Sequence, residues 1–84
     1  MLSKLPVVGG KELIKFLKSL GYEVVRQKGS HVRLRKETEF GTHNITIPYH
    51  DEIAKGTLNA ILTDISKWNN ISKEELIKKL KNKH

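Results

Sequence analysis

His31, Arg33 and Arg35 alternate with Val32 and Leu34, and no other stretch of the chain has residue types so suited to work on a phosphodiester. In a β-strand, side chains two apart share a face. The imidazole and the two guanidiniums then form one row, while Val32 and Leu34 anchor the strand on a core. Histidine's unperturbed pKa, near 6.5, makes both protonation states available around neutral pH. Fixed cations beside it can hold negative charge as it develops. Just upstream, Gln27-Lys28-Gly29-Ser30 adds a lysine and a tight turn, whose backbone N–H groups are available to an anion. Lys28, Gly29, Ser30, His31, Arg33 and Arg35 are the candidate site.

Were the phosphodiester that of RNA and no metal involved, cleavage would require a deprotonated 2′-hydroxyl, a stabilised phosphorane and a protonated 5′-oxygen, and would leave a 2′,3′-cyclic phosphate. His31 suits proton transfer, and Lys28, Arg33, Arg35 and the turn amides suit the charge. One histidine serves one step well, which leaves the general acid among Lys28, water and another histidine. Plainer roles stand beside these. His31 could cap the turn, and the two arginines could guard a strand against edge pairing. His43 shares parity with Ile45 and Ile47, which points to a partly buried structural residue. His50 follows in a loop, as a structural residue or a minor RNA contact. The four histidines lack paired ligand spacing, so no metal site is expected. Tyr22, Tyr49 and Trp68 could stack on bases, although a few aromatics in so short a chain more often fill a core.

The elements that must position these residues follow from periodicity. Leu13, Phe16, Leu17 and Leu20 fall at helical spacing, predicting a helix from Lys11 to Leu20 that Gly21 stops. Tyr22 to Lys28 and His31 to Lys36 read as a hairpin around Gly29-Ser30. Glu37 to Thr42 reads as a looser connection, and His43 to Pro48 as a third strand that Pro48 ends or confines to an edge. Tyr49 to Lys55 crosses to a second helix, opened by Gly56-Thr57 and striped by Leu58, Ile61, Leu62 and Ile65. After Trp68-Asn69-Asn70, a capping box from Ser72 to Glu75 starts a short last helix bearing Leu76, Ile77 and Leu80. The tail from Lys81 to His84 is expected to fray. The order predicts an α+β fold, α-β-β-β-α in two layers with an added C-terminal helix. Both long helices cover one face of a three-stranded antiparallel sheet, the architecture of double-stranded-RNA-binding domains.

At 84 residues there is room for a single domain spanning 1–84. The chain has no cysteine, which excludes disulfides, thiolate nucleophiles and zinc-finger ligand sets. Its start lacks a signal-peptide pattern and no stretch nears the roughly 20 apolar residues of a membrane span, so a cytoplasmic location with no membrane partner is expected. Sixteen Lys and Arg against nine Asp and Glu give a charge of +7, which favours a polyanionic partner.

Four segments carry a family resemblance: Gly10-Lys11-Glu12-Leu13-Ile14-Lys15, Lys28-Gly29-Ser30-His31, Ile45-Thr46-Ile47-Pro48-Tyr49-His50 and Lys55-Gly56-Thr57-Leu58-Asn59-Ala60-Ile61-Leu62. In this order the sequence resembles HicA, the toxin half of the HicAB toxin–antitoxin pair. The resemblance implies a double-stranded-RNA-binding-domain-like fold and an mRNA interferase that needs neither metal nor cofactor. It also implies single-stranded mRNA as substrate and a HicB-type antitoxin as inhibitory partner. The family's Gly-Ser-His motif matches Gly29-Ser30-His31, making His31 the implied catalytic residue. Val32 stands where a second His or aromatic residue often follows, and the C-terminal helix is longer than usual. The other class of function compatible with these residues is a non-catalytic RNA-binding module of the same fold.

Overall fold

The computed structural model describes residues 5–83. Six elements follow one another: α1 (Gly10–Ser19), β1 (Glu23–Lys28), β2 (His31–Thr38), β3 (Gly41–Pro48), α2 (Lys55–Asn69) and α3 (Lys73–Lys83). The strands form one antiparallel sheet in the order β1-β2-β3. The expected α+β arrangement is the one observed.

Both ends of α1 are fixed by local chemistry. At its start, the Gly9 N–H donates to the Glu12 carboxylate at 2.9 Å, satisfying one of the donors a helix N-terminus leaves free. At its end, the Gly21 N–H reaches the Lys18 carbonyl and the Tyr22 N–H reaches the Leu17 carbonyl, each at 3.0 Å. This Schellman pair needs positive φ at the residue between helix and strand, and Gly21 supplies it at +103°. Leu13, Phe16 and Leu17 are buried as their spacing requires.

Val32 and Leu34 on β2, with Ile45 and Ile47 on β3, face the helices and are buried. Leu58, Ile61, Leu62 and Ile65 of α2 and Leu76, Ile77 and Leu80 of α3 complete the same core. Along these stretches of β2 and β3 the alternate residues Val32, Leu34, Ile45 and Ile47 are therefore apolar and enclosed, and the residues between them stand on an open face. No helix among the described residues is long and apolar enough to cross a membrane.

Three local features differ from the sequence expectation. The connection after β2 is no loose loop: the strands extend to Thr38 and Gly41, leaving only Glu39 and Phe40 to turn. Thr38 locks that turn, its hydroxyl donating to the Gly41 carbonyl at 2.7 Å and accepting the Phe40 N–H at 3.1 Å. Gly41 again has positive φ, +121°. The capping box forms by half. The Ser72 hydroxyl accepts the Glu75 N–H at 3.1 Å, while the Glu75 carboxylate faces Lys79 on the next turn at 4.0 Å. The tail does not fray at Lys81, because Leu80 is buried and holds the last turns of α3 on the core as far as Lys83. His84 lies outside the described residues.

Candidate nucleic-acid interface

The open face of the sheet is organised by register. Directly opposed residues in an antiparallel pair share a face. Three rows therefore cross it: Lys28–His31–Pro48, Arg26–Arg33–Thr46 and Glu23–Arg35–Asn44. A groove on this face is lined by Arg26, Lys28, His31, Arg33 and Thr46, the first two rows without Pro48.

A β-bulge makes the rows compatible with the core. Tyr22 is buried, so strict alternation from it would turn Arg26 and Lys28 inward with it. Instead the ladder steps from Val24–Leu34 to Arg26–Arg33, leaving Val25 as the extra residue. One inserted position thus keeps Tyr22 in the core and delivers Arg26 and Lys28 to the face of His31.

The hairpin tip is held independently. Gly29 has φ of +57°, with nothing within 4 Å of where a side chain would begin. Pro48, opposite His31, has no N–H to give, and the next residue closes the ladder: the Tyr49 N–H donates to the Ser30 carbonyl at 2.7 Å. His31 is exposed at this fixed corner. Gly29 and Ser30 shape the tip and do not line the groove.

The other expected residues are distributed unequally. Arg33 lies in the groove beside His31, whereas Arg35 shares the face one row further on, opposite Glu23 and outside the groove. His50 occupies a separate hollow with Lys11, Glu12, Tyr49 and Asp51. His43 is fully enclosed, at 4% exposure, on the helix side of the sheet. Its Nδ1 is hydrogen-bonded with the Tyr22 hydroxyl, and its ring stacks on Trp68 with centroids 5.0 Å apart. Burial holds its pKa below the ordinary value, against a weaker upward pull from Asp64. Tyr22 and Trp68 are thereby engaged in structure, while Tyr49 stays half-exposed.

Two groove residues escaped the sequence reading, Arg26 and Thr46. Thr46 lies between the inward Ile45 and Ile47, so parity alone would have found it, whereas Arg26 shares the parity of buried Tyr22 and reaches the open face only through the bulge. No carboxylate lines the groove. Among the described residues no three of His, Asp and Glu come together in a way that could hold a metal ion. The groove offers a titratable ring, an ammonium, two guanidiniums and a hydroxyl, a set that can bind a phosphate oxygen and move a proton at its edge.

Comparison with known protein families gives a match. The family model described as HicA toxin of bacterial toxin–antitoxin systems covers residues 10–66. No curated protein and no solved structure matches the chain. The matched segment runs from the first residue of α1 to near the end of α2 and takes in the whole sheet, with α3 beyond it. With more than half of its length matched, the chain belongs to the family of HicA toxins of bacterial toxin–antitoxin systems.

Proposed function

We propose that this toxin is a metal-independent endoribonuclease that cuts single-stranded mRNA, with His31 as its proton-transfer residue. The observation that carries the reading is the company His31 keeps: an exposed imidazole in a groove with Lys28, Arg26 and Arg33 and no carboxylate. An RNA strand in that groove meets cations from both strands of the hairpin. The neutral imidazole takes the 2′-hydroxyl proton, the 2′-oxygen attacks phosphorus, and the Lys28 ammonium across from it holds the phosphorane charge. The 5′-oxygen leaves with a proton, and a 2′,3′-cyclic phosphate remains. Lys28 is the protein's candidate donor for that proton, because it stands directly opposite His31. The arginines hold their protons too tightly for the task, and His43 and His50 lie elsewhere. Water is the other source.

Inhibition requires only occupancy. An acidic partner seated on the open face would cover His31 and exclude RNA without any change of shape, which suits an antitoxin of the HicB type acting in the cytoplasm.

The test is cleavage of single-stranded RNA in chelator-containing buffer by wild type and His31→Ala. The variant should lose cleavage while retaining most of its RNA affinity, and the wild-type rate should depend on a group titrating between about pH 5 and 8. A wild-type protein that binds RNA tightly and never cuts it would sink the enzyme reading in favour of a binding module.

A further inference from the structure

The groove holds more positive charge than one phosphate needs, and the surplus is one opposed pair of arginines. Arg26 and Arg33 are Cα partners across β1 and β2 on the open face. Like charges directly opposite each other destabilise a sheet. Nothing acidic lines the groove to relieve them, and the ion pair formed among the described residues, Lys79 with Glu75, lies on α3. The next row has the opposite design, with Glu23 facing Arg35. The sheet therefore leaves one guanidinium pair uncompensated and compensates its neighbour.

The two outward rows of the groove are also separated along the strand. His31 and Arg33 are two residues apart, about 7 Å at the usual strand rise, a displacement on the scale of one nucleotide step in an extended strand. Guanidiniums present a planar fork matched to two phosphate oxygens, unlike the point charge of a lysine. We infer that Arg26 and Arg33 form a second phosphate site, occupied by the backbone phosphate next to the cleaved one, while Lys28 and His31 engage the scissile phosphate. This rests on reading the groove as an RNA site and deepens it. The repulsion between the two arginines is relieved only when the RNA supplies the missing anion, so the pair fixes the register of the strand over His31. A substrate must then carry two consecutive phosphodiesters to be held correctly.

The experiment uses 2′-O-methyl oligonucleotides, which cannot be cut at the 2′-position, as a dinucleotide with one phosphate and a trinucleotide with two. Wild type should bind the trinucleotide at least about tenfold more tightly, the scale of one charge-assisted contact. Arg26→Gln should abolish that advantage, leaving dinucleotide affinity nearly unchanged and lowering the salt slope for the trinucleotide by about 0.7. Without RNA, Arg26→Gln should melt no lower than wild type, since a repulsion is removed. An equal loss for both oligonucleotides, or an unchanged preference for two phosphates, would overturn the inference. Cleavage of longer RNA by wild type is scored separately. A protein that shows the two-phosphate preference but never cuts loses the nuclease reading and keeps the site. One that cuts normally with no such preference keeps the nuclease and loses the site.

Discussion

Replacing Tyr22 with Phe tests whether the far end of the sheet is a structural lock. The Tyr22 hydroxyl accepts a hydrogen bond from the Asn69 amide at 3.0 Å and donates its own proton to His43 Nδ1 at 2.6 Å. The direction is fixed by Asn69, whose Nδ2 also donates to the Ile65 carbonyl while its Oδ1 accepts from Lys36. With Asn69 donating, the phenol hydrogen goes to Nδ1, and neutral His43 carries its proton on Nε2. Tyr22→Phe deletes two bonds and leaves a buried acceptor without a partner, which costs about 1–3 kcal/mol. For a domain of this size that lowers Tm by about 5–20 °C.

The same variant has a signature in pH. Burial holds the His43 pKa below its ordinary value, with Asp64 opposing. Between that lowered value and about 6.5 the unfolded chain therefore binds more protons than the native one, so wild-type stability is full above about pH 6.5 and declines as the pH falls through the window. Protonating Nδ1 also forces the Tyr22 hydroxyl to give up its acceptor, a conflict Tyr22→Phe does not have. The stability gap between the two proteins should be widest above pH 7 and narrow on acidification. Urea denaturation of both from pH 8 to 5 measures it. A gap below about 0.5 kcal/mol at pH 7.5, or one that stays flat with pH, would refute the assignment. RNA affinity of Tyr22→Phe should match wild type, because His31 stands at the opposite end of β2.

Two glycines and one bulge residue give further outcomes. Gly10→Ala, ordinarily favourable inside a helix by up to about 1 kcal/mol, should instead destabilise by about 1–3 kcal/mol, since its Cβ would meet the Pro48 carbonyl oxygen and come within 2.8 Å of Tyr49 Cα; urea denaturation decides. Gly29→Ala meets no atom within 4 Å but must hold φ near +57°, costing about 1–2 kcal/mol, with RNA affinity retained in the folded fraction. Deleting Val25 should leave the fold intact and alter stability by less than about 1 kcal/mol, because Tyr22 and Val24 then alternate without interruption with Glu23, Arg26 and Lys28. A folded deletion variant that no longer binds RNA would show that the bulge aims Arg26 as well as correcting parity.

The groove was largely legible in the sequence because period-two alternation is a strong signal wherever one face is apolar. Val32 and Leu34 on β2, and Ile45 and Ile47 on β3, fixed the outward direction of His31, Arg33 and Arg35. The same rule placed His43 inward. What stayed hidden depended on long-range pairing. The partners of Arg33 and Arg35 are Arg26 and Glu23, and which arginine faces which residue is a matter of register across the hairpin. The bulge at Val25, which sets that register, has no local mark, since Val24 and Val25 are equally good strand residues. The turn at Glu39-Phe40 was missed because its lock is a side chain, Thr38, bonding across a two-residue span that contains no Asn-Gly or Asp-Gly signal.

The two histidines of the sheet show how one residue type serves opposite ends. His31 pairs with Pro48 on the outward parity and stands in the solvent amid cations, with no hydrogen bond to constrain its ring among the described residues. His43 pairs with Lys36 on the inward parity, between Tyr22 and Trp68, where burial favours its neutral form. The inward histidine helps fasten α2 to the sheet through Asn69, Lys36 and the Trp68 stack. That fastening lies several strand residues from the groove, so His31, Arg26 and Arg33 owe their placement to backbone pairing and to the core beneath Val32 and Leu34. The chemistry of the open face can therefore change by substitution without touching the elements that hold it. In this fold that is possible because the groove side chains contribute nothing to the core and the core side chains stay out of the groove.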